Sequence, residues 1–262
     1  MAHIIKCFEC HAEVDDPYVD SCPRCGGVLA IETDLDEAAS LRPKDLRRRP
    51  IGVWRYAPFL PVDDSHAVSL LEGGTPLYDC RALAKKAGVR SLHVKYEGAN
   101  PTGSFKDRGM TVGVSRAVEL GCRTVGCAST GNTSASLAAY AAKASLVAMR
   151  DSILRLSEAA ANGDFSVRED AGQFQHSFRE MVTALNRLMA EAGDGLGDIG
   201  RVVSAIATGD LRQRVEKQYP GAFGALAADA NRTAEQLTGI VGGILHASDT
   251  ITTASGEIAS GN

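Results

Sequence analysis

The spacing of apolar residues changes once along this chain of 262 residues, and the change separates two segments of different fold class. Up to about Ala144, short apolar stretches alternate with loops rich in glycine and proline, which is typical of a mixed α/β fold. From Asp151 onward, apolar residues recur in steps of three and four, which is typical of helical bundles and coiled coils. The sequence therefore predicts an α/β fold with a partial parallel sheet, followed by an all-α tandem helical bundle.

The composition and net charge are those of an ordinary globular protein. Hydrophobic residues make up 44% and charged residues 23% of the chain, so a disordered polypeptide is not expected. The net charge of −4 argues against a broad nucleic-acid interface, and the arginines at 47–49 are interpreted as a solvated turn. No apolar run has the form of a secretory signal or the length of a membrane span. We therefore expect a cytoplasmic protein with no membrane span and no nucleic-acid partner.

Four cysteines near the start form two pairs with the spacing of metal ligands. Cys7 and Cys10 make the first pair, and Cys22 and Cys25 make the second. Two such pairs can supply four thiolates to one tetrahedral zinc ion, whereas the alternative is four ordinary reduced thiols. Four protein ligands leave no position for a reacting water, so the sequence predicts a structural zinc site. The remaining cysteines lack this spacing and are expected in the core: Cys80, Cys122 and Cys127.

The middle of the chain alternates strand and helix patterns around two polar loops. Leu92–Tyr96 is predicted as a strand, Ser104–Leu120 as a helix and Thr124–Ala128 as a short buried strand, with a further helix from Asn132. In a parallel α/β fold both loops lie at one edge of the sheet, where ligands bind, so Lys106 and Asn132 are expected to face one pocket. A lysine can form a Schiff base with an aldehyde cofactor, whereas the alternative is an ordinary solvated lysine.

Three motifs in this region resemble those of one enzyme family. They are GGTPLY at 73–78, NPTGSFKDRG at 100–109 and STGNTSAS at 129–136. With the cysteine pairs in front of them, residues 1–146 resemble the threonine synthases, which are pyridoxal-phosphate enzymes of the tryptophan-synthase-β fold type. The resemblance implies bound pyridoxal phosphate and a small amino-acid substrate. The reaction it implies converts O-phosphohomoserine and water to threonine and phosphate.

The resemblance also implies a role for individual residues. Lys106 would form the Schiff base with pyridoxal phosphate and move protons at the substrate carbons. Asn132 would bond the ring hydroxyl of the cofactor. Ser129, Thr130 and Thr133 would bind the carboxylate of the substrate.

The chain departs from this family after Leu146. No later segment has the pattern of the remaining buried strands, of a glycine-rich loop for the cofactor phosphate, or of a serine or threonine facing the ring nitrogen. We therefore expect pyridoxal phosphate to be bound weakly or lost. The truncated chain is expected to be inactive as a threonine synthase.

The second half of the chain repeats one pattern, a helix, a Gly-Asp connector and a second helix. The connectors are 162–165 and 208–211, and GDFSVR in the first repeat matches GDLRQR in the second. Asn186-Arg187 matches Asn231-Arg232 in the same way. Each second helix carries an apolar seam of coiled-coil spacing. The seam residues are Phe174, Phe178, Met181, Leu185 and Leu188 in the first repeat, and Phe223, Leu226, Ala230, Thr233, Leu237, Ile240 and Ile244 in the second.

Residues 151–262 resemble a pair of HAMP domains, the signal-relaying parallel helical bundles of bacterial receptors. The tail DTITTASGEIASGN resembles the start of the signalling helix of a methyl-accepting chemotaxis protein. One helix pair buries its seam poorly alone, so we expect a parallel homodimer through the helical half. The alternative is a generic repeat of α-hairpins.

Three interpretations of the whole chain stay open at this stage. It is a threonine-synthase-like enzyme, a dimeric signalling module, or a chimeric or mis-assembled chain that was joined within 144–150 and has no single function. The expected segments are a zinc knuckle at 1–28, a truncated pyridoxal-phosphate domain at 29–146, HAMP-like units at 147–190 and 191–245, and the start of a signalling helix at 246–262.

Overall fold

The computed structural model describes residues 3–34 and 41–261. The contacts within the chain divide it into two compact units, Met1–Arg150 (unit 1) and Asp151–Asn262 (unit 2). Unit 1 combines small sheets with helices, and unit 2 is helical. The predicted succession of a mixed α/β fold and an all-α fold is therefore confirmed.

Unit 1 begins with a small antiparallel sheet. Its strands are β1 (His3–Cys7), β2 (Glu13–Val14) and β3 (Leu29–Thr33), in the order β2-β1-β3. Ile5 in the central strand lies opposite Val14 on one side and Ile31 on the other. Because β1 ends at Cys7, the sheet holds the backbone that carries the first of the four paired cysteines.

The rest of unit 1 consists of short elements followed by two longer helices. They are α1 (Pro43–Arg47), 3-10 helices at Val53–Phe59 and Asp64–His66, β4 (Leu77–Asp79), α2 (Arg81–Ala87), β5 (His93–Lys95), a 3-10 helix at Glu97–Ala99, α3 (Lys106–Glu119) and α4 (Asn132–Ala161), whose residues from Asp151 onward belong to unit 2. The helices predicted after the two polar loops are confirmed as α3 and α4. Gly121 ends the first of them with φ of 71°, a left-handed conformation that glycine adopts readily.

The parallel sheet predicted for this region is not formed among the described residues. The strand predicted at Leu92–Tyr96 is confirmed as β5, but it pairs with β4 in antiparallel register, with Val94 opposite Tyr78. Thr124–Ala128, predicted as a buried strand, forms no strand and is mostly exposed. Parallel strands are stable when neighbouring elements cover both of their faces, and this apolar run has no strand beside it in the described part of the chain. Both predictions, parallel pairing and a strand at Thr124–Ala128, were wrong.

A small core joins α3, α4 and the segment around Val68. The buried members are Val68, Val114 and Tyr140, with Leu70, Met110, Leu137 and Ala144 packed against them. Two hydroxyls of α3 bind the backbone of Val68. Thr111 Oγ1 donates to the carbonyl of Val68 at 2.8 Å, and Ser115 Oγ accepts from its N–H at 2.8 Å. These bonds satisfy backbone groups that have no strand partner, and they fix the extended segment against the helix.

Unit 2 is built on two long helices, α5 (His176–Ala207) and α6 (Gly221–Ser260), with a 3-10 helix at Ala171–Gln173 before them. α5 runs without a break from the first repeat into the second, over 32 residues. The connectors lie where the sequence predicts them, since α4 ends just before residues 162–165 and α5 ends just before residues 208–211. Among the helices described, none has the length and apolar character needed to cross a bilayer.

Two aromatic side chains rest on glycines near the middle of α5. A β-carbon added at Gly193 would lie 2.9 Å from Cβ of Phe165, and one added at Gly195 would lie 3.0 Å from the ring of Phe223. Only glycine leaves room for these contacts. Phe165 belongs to the first connector and Phe223 to α6, so both repeats contact α5 at this glycine-rich segment.

Candidate functional site

The four paired cysteines converge on one point, as predicted. The Sγ atoms of Cys7, Cys10, Cys22 and Cys25 all lie within 4.8 Å of one another. Between the pairs, Sγ of Cys7 lies 3.5 Å from Sγ of Cys25, and Sγ of Cys10 lies 3.7 Å from Sγ of Cys22. Cys7 and Cys22 are buried, whereas Cys25 is exposed. Four sulfurs at this separation are a suitable donor set for a tetrahedral zinc ion, and the cluster fits a zinc knuckle.

The backbone around the cluster favours a thiolate at Cys7. The N–H of Cys10 lies 3.4 Å from the sulfur of Cys7 and lowers the pKa of that thiol to about 7. At Cys25 the N–H of Gly27 lowers the pKa, but the neighbouring thiols of Cys10 and Cys7 raise it, to about 12. Gly27 lies close to the cluster, because a β-carbon there would lie 2.7 Å from Cγ of Glu9 and 3.1 Å from the sulfur of Cys7, so a larger residue would force these groups to shift.

The other three cysteines do not have the environment predicted for them. Cys80 is half-buried, and Cys122 and Cys127 are exposed. The prediction that they fill the core was wrong, because the region from 121 to 128 lies at the surface instead of forming a buried strand.

Lys106 occupies the first position of α3, where the polar loop enters the helix. Its side chain is half-buried, and its ammonium nitrogen lies 4.8 Å from the centroid of the Phe105 ring. Its backbone N–H is 3.3 Å from Oγ of Ser104. A partly covered amine beside an aromatic face remains accessible to an aldehyde.

A buried carboxylate connects the lysine loop with α4. Asp107 is fully buried, and it accepts hydrogen bonds from the backbone N–H of Thr102 at 2.7 Å and from its hydroxyl at 2.5 Å. A third bond, of 2.5 Å, comes from Oγ of Ser136 in the second turn of α4. The loop that carries Lys106 and the start of α4 are therefore held side by side, although the sheet that was expected to align them is missing.

The second polar loop contains the residues predicted to bind cofactor and substrate. Ser129 and Thr133 are half-buried, whereas Thr130 and Asn132 are exposed. Oγ of Ser129 accepts a hydrogen bond of 3.2 Å from the N–H of Gly131. The loop lies at the N-terminus of a helix of 30 residues, where free N–H groups and the helix dipole favour an anion.

A charged network beside these loops was not predicted. Glu97 accepts hydrogen bonds from Arg108 at 2.7 and 2.9 Å and from the hydroxyl of Thr75 at 2.7 Å. The Arg108 hydrogen bonds, with that from Thr75, lower the pKa of Glu97 to about 2. Asn100 donates to Glu97 and accepts from the N–H of Gly73 at 2.9 Å. The concentration of polar residues in the GGTPLY and NPTGSFKDRG motifs was the available signal for this network.

A second buried acid was also missed. Glu72 is 1% exposed, and it accepts hydrogen bonds from the hydroxyl of Tyr140 at 2.7 Å and from the N–H of Leu70 at 2.9 Å. Burial, followed by the neighbouring Glu72, raises the pKa of Tyr140 well above its ordinary value. The bond fastens α4 to the segment that precedes the GGTPLY motif.

Each repeat of unit 2 closes with an asparagine clip, by which we mean one asparagine amide that bonds both backbone groups of one connector residue. Asn186 accepts from the N–H of Glu169 at 2.9 Å and donates to its carbonyl at 2.7 Å. Asn231 forms the same pair with Val215, at 2.9 and 3.0 Å. The repeat inferred from the sequence is thus confirmed in the contacts of both connectors, and the asparagines have a role that the motif match did not identify.

The helices of unit 2 bury one apolar face within the chain and expose another. Val182 and Met189 of α5 are buried, whereas Met181 and Leu188, which belong to the predicted seam, are 50% and 63% exposed. Because adjacent residues are turned by about 100° around a helix, the two faces lie about 100° apart. On α6 the buried residues are alanines, Phe223 and Leu237 are half-buried, and several other large side chains are exposed. The exposed members on that helix include Leu226, Ile240, Ile244, Ile251 and Ile258.

Comparison with known families gives one match in the first half of the chain and a different match in the second half. Residues 68–151 match the pyridoxal-phosphate dependent enzymes, and residues 173–239 match the HAMP domain. The first match contains both polar loops, and the second contains both long helices as far as the middle of α6.

Curated relatives are found for the first half of the chain. The threonine synthase of Methanocaldococcus jannaschii is 59% identical over 141 residues, which cover 53% of this chain and 35% of the relative. The threonine synthase of Methanosarcina acetivorans is 52% identical over 143 residues, which cover 54% of this chain and 35% of the relative. The threonine synthase of Synechocystis is 59% identical over 101 residues, which cover 36% of this chain and 26% of the relative. The chain thus spans about a third of the length of the two archaeal relatives.

Proposed function

We propose that unit 1 is a truncated threonine-synthase-type domain that attaches pyridoxal phosphate through Lys106. The observation that supports this proposal most strongly is the bond from Asp107, the residue after the lysine, to Ser136 of α4. It holds the two motif loops together in a fragment that lacks the expected sheet. Asn132 is the proposed partner of the cofactor ring hydroxyl. The proposed ligands of the substrate carboxylate are Ser129, Thr130 and Thr133.

The residues of unit 1 fit one part of the cofactor. Bound there, pyridoxal phosphate would supply an aldehyde for a lysine amine and an electron sink for bonds at the α carbon of an amino acid. Lys106 offers the amine, and the start of α4 offers N–H groups for an anion. In residues 147–261, all of which the structure describes, the glycines lie within helices or next to helix ends. None of them follows a strand, as a phosphate-binding loop of the expected kind would.

We infer that this chain does not convert O-phosphohomoserine to threonine. Correct orientation of reacting groups can account for about 7–11 kcal/mol of barrier reduction, and it requires a cofactor that is held at several points. A cofactor held through Lys106 and one loop lacks the further contacts at its phosphate and ring nitrogen that such precise orientation requires. Attachment without turnover is therefore the expected behaviour.

The attachment and the turnover are tested separately. Pyridoxal phosphate is added to the full chain, the visible absorption band is recorded, and the product of borohydride reduction is mapped by mass spectrometry. The adduct is expected at Lys106 and is expected to disappear in Lys106→Ala, whereas Lys86→Ala, which removes an exposed lysine of α2, serves as the control. Phosphate release from O-phosphohomoserine is then assayed. Release that depends on Lys106 would contradict the inferred inactivity, and the absence of any adduct at Lys106 would contradict the attachment.

We propose that the four-cysteine cluster binds one zinc ion. The support is the convergence of four sulfurs within 4.8 Å. Purified protein that has not been exposed to chelator is expected to contain one zinc per chain by elemental analysis. The double change Cys22→Ser and Cys25→Ser should abolish the zinc content, and Cys122→Ser, which alters an exposed thiol outside the cluster, should retain it. Equal zinc in all three proteins, or none in the unmodified chain, would refute the site.

We also propose that unit 2 forms a parallel homodimer that relays conformational change. The specific support is the exposed apolar stripe on α5 and α6, which a second copy would cover, together with the match to the HAMP domain. Leu188→Asp should dissociate the dimer, because an unpaired charge buried in an interface costs several kcal/mol. Thr183→Asp places the same charge on the exposed opposite face of α5 and is the matched control. Sedimentation of the unmodified full chain as a monomer at micromolar concentration would contradict the proposal.

We propose finally that the two units were joined by fusion or by chimeric assembly and share no catalytic cycle. The match to pyridoxal-phosphate enzymes ends at residue 151, and the match to the HAMP domain begins at residue 173. The encoding DNA should be read across codons 144–150. A threonine-synthase continuation in another frame would support mis-assembly, whereas one uninterrupted transcript for both units in the source genome would exclude it.

A further inference from the structure

We propose that Asp107 is the positioning residue of the Lys106 site, and that it sets the relation between the lysine amine and the anion-binding loop at the start of α4. This inference rests on the proposed attachment of pyridoxal phosphate at Lys106. It goes beyond that attachment because it assigns the geometry of the site to a carboxylate that faces away from solvent.

The first argument concerns the bonds that Asp107 accepts. The oxygens of its carboxyl group accept three short hydrogen bonds, two from Thr102 and one from Ser136. The donors belong to two different segments, the loop before Lys106 and the second turn of α4. Full burial makes these bonds strong, because water does not compete for the same oxygens.

The second argument concerns chain connectivity. Asp107 is adjacent to Lys106 in the first turn of α3, where the helix dipole favours a negative charge. Ser136 lies four residues after Asn132 and is also fully buried. A displacement of the carboxylate therefore moves the lysine backbone on one side and the N-terminal turn of α4 on the other. No strand performs this function, since residues 124–128 between the two helices form none.

The third argument is that no neighbouring buried polar group described here makes the same connection between the lysine loop and the start of α4. Thr111, one turn further along α3, is equally buried, but it connects Trp54 and Val68 and makes no bond to either motif loop. Glu72 bonds Tyr140, two turns into α4 and away from its N-terminus. Asp107 is thus the described carboxylate that bonds the lysine loop and the first turns of α4 together.

The test compares Asp107→Ala and Ser136→Ala with two matched controls in the full chain. Thr111→Val removes a buried hydroxyl of α3 and its two bonds, and Ser145→Ala removes a hydroxyl of α4 that bonds only its own helix. The readouts are the dissociation constant of pyridoxal phosphate, the visible circular dichroism of the bound cofactor, and the thermal midpoint. Circular dichroism in the cofactor band reports a ring held in one asymmetric orientation. A substitution that only lowers the stability of the fold would leave this signal unchanged.

We expect both test variants to retain an adduct at Lys106 while the visible circular dichroism is lost and the dissociation constant rises about tenfold or more. The controls should keep the signal even where their thermal midpoint falls by the same amount. Ser136→Ala keeps the carboxylate and two of its bonds, so it gives a folded protein if Asp107→Ala does not fold. Loss of the signal in the controls, or its retention in both test variants, would overturn the proposal.

Hydrogen exchange distinguishes failure of this inference from failure of the proposed function. If the unmodified chain forms no adduct at Lys106, the proposed function is wrong, and exchange then decides the positioning role alone. Ser136→Ala should speed amide hydrogen exchange both in residues 100–107 and in residues 129–136. Ser145→Ala should speed exchange in neither segment. Faster exchange in only one of the two segments, or in none, would overturn the coupling.

Discussion

Removal of one asparagine clip should destabilise unit 2 by an amount that follows from its two hydrogen bonds. In Asn186→Ala the N–H and the carbonyl of Glu169 lose partners at 2.9 and 2.7 Å. A hydrogen bond contributes a net 0.5–1.5 kcal/mol, so the expected loss is about 1–3 kcal/mol of unfolding free energy. Asn231→Ala removes the matching pair at Val215, with 2.9 and 3.0 Å bonds, and should lose a similar amount.

The assay is urea unfolding of the full chain followed by helical circular dichroism, with the midpoint compared at an unchanged slope. The matched controls are the next residues in each repeat, Arg187→Ala and Arg232→Ala. Each of these arginines forms an exposed ion pair on its own helix, worth well under about 1 kcal/mol. If the asparagine variants shift the midpoint no further than the arginine variants, the clips do not hold the connectors, and the reasoning fails.

Two further predictions concern carboxylates. The pKa of Glu97 is lowered in the folded protein from 4.5 to about 2, chiefly by Arg108. Its contribution to stability is therefore present above pH 4.5 and is lost as the pH falls towards 2. Glu97→Gln should flatten the acid-unfolding curve of unit 1 between about pH 4.5 and pH 2, and above pH 4.5 its curve should run parallel to that of the unmodified chain. Glu169→Val installs the residue that Val215 provides in the second repeat. It should change the unfolding free energy measured in urea by less than about 1 kcal/mol, because Arg155 is largely exposed and returns to water. A loss of several kcal/mol would show that the ion pair is a principal support of the first connector.

The features that could be predicted from the sequence are those encoded by local spacing. The cysteine pairs, the helix starts after the polar loops and the two Gly-Asp connectors all depend on residues close together in the chain, and the structure confirms the elements and the convergence of the sulfurs. The strand at Thr124–Ala128 could not be judged in this way. An apolar run becomes a strand only when neighbours complete its hydrogen bonds, and neighbours are a property of the whole fold.

The burial of two acidic residues could not be predicted from local sequence patterns either, for a related reason. In a sequence Glu72 and Asp107 resemble surface carboxylates, because acids are rarely buried without partners. Their donors come from distant segments, such as Tyr140 for Glu72, which is 68 residues away. The predicted seam of unit 2 includes buried residues, such as Phe174 and Ala230, as well as exposed ones, such as Leu188, because periodicity alone does not tell which face of a helix packs within the chain.

The unbroken helix α5 has a mechanical consequence for unit 2. It serves both repeats, so an axial turn imposed at one end of this element is carried to the other, over about 48 Å at 1.5 Å per residue. Glycine lowers helix propensity by roughly 1 kcal/mol relative to alanine, and glycines are concentrated where Phe165 and Phe223 contact the backbone of α5. This segment is therefore the least intrinsically helical part of α5, and tertiary packing of the two aromatic side chains offsets that weakness.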